Sequence, residues 1–121
     1  MKVFEYFGSR ELEPQRVRDL VTDAAGLTFE LRHSSYVGEY YQAGQPGSGR
    51  VVSIRRNELQ DEDGTFPQWE EFTDYTTVVE ARQTLAAAGE PADFLDELRE
   101  KLAGVEGVEF LRRSKPEPRP S

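Results

Sequence analysis

One structural plan occurs twice in this chain, and it limits the fold more than any other feature. Glu13-Pro14 opens a helical pattern with Val17, Leu20, Val21 and Ala24 on one face, closes at Gly26, and runs into the strand-like Leu27-Thr28-Phe29-Glu30-Leu31-Arg32. Glu90-Pro91 opens a second, with Phe94, Leu95, Leu98 and Leu102 on the apolar face, Gly104 as its stop and Val108-Glu109-Phe110-Leu111-Arg112 as its strand. Proline at a first helical position forfeits only an orphan donor, and glycine just past the last accepts a left-handed cap. A β-rich run precedes each helix, Val3-Phe4-Glu5-Tyr6-Phe7 and Thr76-Thr77-Val78-Val79-Glu80-Ala81. The plan is therefore two β-α-β units.

Between the units, Tyr36 to Gln42 and Arg50 to Arg56 flank the glycine-rich Ala43-Gly44-Gln45-Pro46-Gly47-Ser48-Gly49, which reads as a hairpin. The expected order is β-α-β-β-β-β-α-β. It describes an α+β two-layer sandwich, a mostly antiparallel sheet of about six strands with helices near 14–25 and 91–103 on one face. A chain of 121 residues is one domain. Its expected bounds are 1–113, followed by a proline-rich tail, 114–121, with proline at every second position from 116.

The connection between the fourth and fifth strands carries the functional signal. Glu58 to Tyr75 holds seven acidic residues (Glu58, Asp61, Glu62, Asp63, Glu70, Glu71, Asp74) and no lysine or arginine. The chain has 23 acidic against 15 basic residues, a net charge of −8; without these seven the balance is 16 against 15. Asymmetry this local suggests a surface that meets a partner. Phe66, Trp69, Phe72 and Tyr75 are interleaved with the carboxylates. At spacings of three, Phe66, Trp69 and Phe72 either pin the connection to the core or serve as binding anchors, and the residues alone leave both open. A structureless connection near 18 residues in a compact domain is generally functional or flexible.

Other chemistry is mostly excluded by count. With no cysteine there are no disulfides, thiolate nucleophiles or iron–sulfur ligands. His33 is the only histidine. Its neighbours Ser34 and Ser35 point away from it in a strand or tight turn, so a turn-flanking role outweighs a nucleophilic pair. Asp61-Glu62-Asp63-Gly64 followed by Glu70 matches part of a calcium loop, but Leu59 stands where the first ligand belongs, which favours an acidic loop turned by Gly64. Gly44 to Gly49 lacks the Gly-Lys-Ser/Thr ending of a phosphate loop. Glu30 and Glu39 on neighbouring strands suggest an acid–base pair, a coincidence that 31% charged residues makes common. Tyr36, Tyr40 and Tyr41 are read either as core with a half-exposed face or as an aromatic binding patch. Glu5 interrupts any apolar signal centre and no run approaches a membrane span, so a cytoplasmic protein is expected. The acidic balance argues against nucleic acid. Arg55-Arg56 and Arg112-Arg113, the basic doublets, send their members to opposite sheet faces.

The run Phe29-Glu30-Leu31-Arg32-His33-Ser34-Ser35-Tyr36-Val37-Gly38-Glu39-Tyr40-Tyr41, with an acidic segment after the Arg-Arg-Asn strand end, resembles the small immunity proteins of bacterial toxin systems over residues 27 to 80. The resemblance implies a protein without catalysis that masks a cationic toxin by charge and shape. On this reading the partner-binding residues are Glu58, Asp61, Glu62, Asp63, Phe66, Trp69, Glu70, Glu71 and Phe72, with no cofactor or metal. Two rivals stand beside it: a small enzyme or ligand-binding domain with a pocket between the sheet and the 57–75 loop, and a structural or oligomerisation module.

Overall fold

The computed structural model describes residues 1–34, 38–44, 46–61, 64–87 and 89–114. Eight strands and two helices follow one another as β1 Lys2–Ser9, α1 Pro14–Ala25, β2 Glu30–Ser34, β3 Gly38–Ala43, β4 Arg50–Arg56, β5 Leu59–Asp61, β6 Gly64–Phe66, β7 Thr77–Thr84, α2 Asp93–Leu102 and β8 Glu109–Ser114. Short 3-10 turns lie at Pro46–Ser48 and Glu70–Phe72. Six strands form one sheet in the order β2-β3-β4-β7-β1-β8, while β5 and β6 pair only with each other. Every pairing is antiparallel. The expected α+β sandwich is the fold observed, and its two β-α-β units are both split. β8 is separated from β7 by β1, and β2 from β1 by three strands.

Both helices lie on one face. Val17 and Val21 of α1 and Leu95, Leu98 and Leu102 of α2 join Val3, Phe7, Val52, Ile54, Val79 and Ala81 of the sheet in a single buried cluster. The helix limits follow from capping. Pro14 occupies the first turn of α1, and Gly26, at φ +70°, donates its N–H to Thr22 O. For α2 the start falls at Asp93, two residues after the expected Pro91, because the cap comes from the sheet. Gln83 Oε1 accepts from the N–H groups of Phe94 at 3.1 Å and Leu95 at 3.3 Å, which Ala92 has no side-chain oxygen to do. β2 likewise begins later than expected, since Leu27 and Phe29 pack against the helical cluster before the chain reaches the sheet edge.

The helix-facing side of β1 also buries a charge. Glu5 is 0% exposed and receives Arg99 Nε at 2.5 Å and Arg113 Nη2 at 2.8 Å, while Arg113 reaches Asp96 at 2.7 Å. Burial works against the Arg113 charge, and the hydrogen bonds to Glu5 and Asp96 more than offset it, raising its pKa. Arg99 covers the ring of Phe110 at 3.8 Å. This network ties α2 to β1 and β8 with charge-assisted bonds that a lone buried carboxylate requires.

Replacing Arg113 by Met keeps the aliphatic stem but leaves Glu5 half-compensated, and urea unfolding should show a loss of about 3 kcal/mol. Replacing Lys101, whose i,i+4 pair with Glu97 is exposed, should change stability by less than about 0.5 kcal/mol in the same measurement.

Candidate functional site

Neither α1 nor α2 covers the sheet's second face. Along β7, Val78 and Val79 point to opposite faces and each is 0% exposed, so something other than α1 and α2 covers Val78. The acidic-aromatic segment does it. Phe72, 7% exposed, sits with Tyr6 and Val78 in a second buried cluster flanked by Phe4, Trp69, Tyr75 and Leu111. The Tyr6 ring is 5.7 Å from Phe72 and 6.1 Å, edge-on, from Trp69; Phe72 meets Tyr75 edge-on at 6.4 Å. Burial pushes the Tyr6 phenol up, with Glu80 adding to the shift.

Asn57, at the end of β4, brackets the segment. Its Nδ2 donates to Trp69 O at 3.2 Å and Phe72 O at 2.7 Å, and its Oδ1 accepts from Trp69 N at 2.8 Å. Its own N–H donates to Thr76 O at 2.9 Å. One buried amide thus satisfies both ends of the Glu70–Phe72 turn, which carries no cap of its own. The far end is held to β1 and the loop after it, where Thr76 N donates to Ser9 O at 2.9 Å and Thr76 Oγ1 to Arg10 O at 2.7 Å. Gly8 makes this approach possible: a Cβ there would lie 2.7 Å from Tyr75 Cδ1 and 2.9 Å from Leu111 Cδ1. The connection is therefore not structureless. It holds a hairpin, a 3-10 turn and a docked aromatic cluster.

The site residues read from sequence divide accordingly. Phe72 is a structural pin. Trp69 is half-buried, with one side on Tyr6 and Arg55 at 5.8 Å from its ring. Glu71 is ion-paired with Arg112, which lies over Tyr6 at 5.3 Å and Phe72 at 5.6 Å. Glu58, Glu70 and Asp74 are exposed, and Glu58 and Glu70 form no ion pair with any described residue. Asp61 and Phe66 lie in the β5-β6 hairpin, and Glu62 and Asp63 fall outside the described residues. Arg56 leaves the opposite face from Arg55 and bonds Glu13 at 2.5 Å, as Arg113 leaves the opposite face from Arg112. A cleft of about 320 Å³ separates Arg56, Asn57 and Glu58 from Thr73 to Thr76.

Elsewhere the expectations separate. Glu30 pairs across from Gln42 and Glu39 from His33, which places the two carboxylates on opposite faces and rules out that acid–base pair. His33 and Ser34 diverge for the same reason, and Ser35 and Tyr36 lie outside the described residues. Tyr41 packs against the helical cluster whereas Tyr40 faces the other side, 5.4 Å from Arg55. Among the described residues no group of three or more acidic or histidine side chains could hold a metal ion, and no helix is long and apolar enough to cross a membrane. Sequence reasoning did not single out Asn57, Gly8 or Arg112. Gly8, directly after the β run Val3 to Phe7, is the one signal that could have pointed to a close approach.

No protein-family model matches the chain, and no curated protein aligns with it significantly.

Replacing Asn57 by Ala leaves the Trp69 N–H unpaired and takes the second donor from the Trp69 and Phe72 carbonyls, and should cost about 1–3 kcal/mol. Asn57→Asp should not restore it, because a carboxylate cannot donate to Trp69 O and Phe72 O. Emission from Trp69, the single tryptophan, should shift to the red in both variants.

Proposed function

We propose that this protein is a non-catalytic protein-binding module that masks a cationic partner, in the manner of the immunity-type proteins it resembles. The observation that carries the reading is the division of labour within the acidic-aromatic segment. Its inner side is fixed by Asn57 and Phe72, while its outer side presents Glu58 and Glu70 without an ion pair to any described residue. A charged surface held rigid needs little ordering on binding, which lowers the entropic cost of association. Trp69, half-exposed beside those carboxylates, is the anchor. Glu71, engaged by Arg112, holds the surface in place.

A second reading draws on the cleft of about 320 Å³ beside Asn57 and Thr76. A small ligand seated there would shift the amide resonances of Asn57, Thr73 and Thr76 and leave those of Glu70 unmoved.

The test is binding to a cationic protein, with the neighbouring gene's product as the first candidate if its sequence is basic. Trp69→Ala should raise the off-rate by the roughly 2 kcal/mol typical of a central aromatic. Glu58→Gln with Glu70→Gln should instead slow association and flatten its salt dependence, since exposed charges act mainly through steering. Unchanged kinetics in both variants would place the interface elsewhere.

A further inference from the structure

The two sheet edges differ in what they leave unused. On β8 the charges are spent inside the molecule: Glu109 on Arg10, Arg112 on Glu71, Arg113 on Glu5 and Asp96. β2 pairs with β3 on one side only, and among the described residues its sole ion pair lies within its own strand, Glu30 with Arg32 at 3.0 Å. Arg32 Nε is shielded from solvent yet has no acceptor among the described residues. Leu31, between the two charges, is 58% exposed, the most exposed large apolar side chain of the described strands. An open edge with an uncovered leucine is a template for another strand, and natural edges usually carry a proline, a bulge or charged side chains to prevent pairing. β2 has no proline or bulge, and its two charges are of opposite sign, so they can attract rather than repel an antiparallel copy.

We infer that β2 pairs antiparallel with β2 of a second copy of this chain, about a two-fold axis at Leu31, to form a weak homodimer. The pattern of the strand is self-complementary in that register. Leu31 meets the partner's Leu31, Glu30 meets the partner's Arg32, and Arg32 meets the partner's Glu30, so each contact occurs twice. The neighbouring register, centred on Arg32, sets arginine against arginine and leaves Leu31 facing histidine, which like-charge repulsion disfavours. With Leu31 on the axis the two sheets become continuous and both helix layers stay on the same side. Leu31 also lines a hollow of about 400 Å³ with Pro14, Gln15, Glu39 and Tyr41, which the partner's strand would border. A contact of five residues a side buries less than a stable dimer needs, so association is concentration-dependent. The edge lies apart from the acidic-aromatic segment over β4, β7 and β1, so this inference does not depend on the proposed function.

Sedimentation velocity on the full chain should show a monomer–dimer equilibrium. Glu30→Arg and Arg32→Glu each place like charges opposite one another twice, and each should weaken self-association by about tenfold or more. Mixed in equal amounts, the two variants should restore a dimer, because arginines at 30 and 32 of one chain then face glutamates of the other. The intrachain pair is broken in both variants, so only pairing between chains explains such a rescue. Circular dichroism confirms that each variant folds. In a chain without cysteine, Leu31→Cys should form a disulfide-linked dimer under mild oxidation, since residues opposite on antiparallel strands lie within disulfide reach, and Glu109→Cys on the other edge should not. A wild-type chain that stays monomeric to roughly millimolar concentration, a mixture that fails to dimerise, or equal cross-linking at both edges would overturn the inference.

Discussion

The centre of this sheet has to be buried on both faces, and most of the structure follows from that requirement. Val78 and Val79 are consecutive residues of β7, point in opposite directions and are both wholly inaccessible. Two helices can cover only one side. The other is covered by the residues after Trp69, held down by Phe72, admitted by Gly8 and bracketed by Asn57. A connection that would otherwise be a surface loop is a layer of the fold. Among the described residues, Glu58, Glu70 and Asp74 remain on the outside once Phe72 has been used within.

That arrangement also explains how charge is distributed. Where an anion is buried, as Glu5 is, two arginines meet it from α2 and β8. Where the segment's inner edge comes near the sheet, Arg112 meets Glu71. Among the described carboxylates of the segment, Glu58 and Glu70 are exposed and form no ion pair. Electrostatic matching inside the molecule thus selects which part of the acidic surplus is free to steer a partner, and it does so by geometry rather than by composition.

Much of the architecture was legible in the chain. The paired Pro and Gly signals located both helices, alternation located the strands, and the two helices share a face as their repeated plan required. The misplaced limits are those set by residues distant in sequence: α2 starts where Gln83 of β7 can cap it, a contact that no local pattern contains. The candidate site was legible as a segment and not as a surface. Aromatic spacing could not say which rings point inward, because that depends on Asn57 and on Gly8, far upstream in β1. Glu71 looked like Glu70 until Arg112 was brought beside it by β8.

The central claim is that residues 69 to 76 are an integral layer of the fold. Native-state amide hydrogen exchange tests it most directly, through the N–H groups of Trp69, Phe72, Tyr75 and Thr76, which donate to Asn57 Oδ1, Trp69 O, Phe72 O and Ser9 O respectively. If the segment is part of the fold, these four amides exchange only through openings of nearly the same free energy as those of β1 and β7. If they exchange freely while β1 and β7 stay protected, the segment is a detachable loop and the account is contradicted.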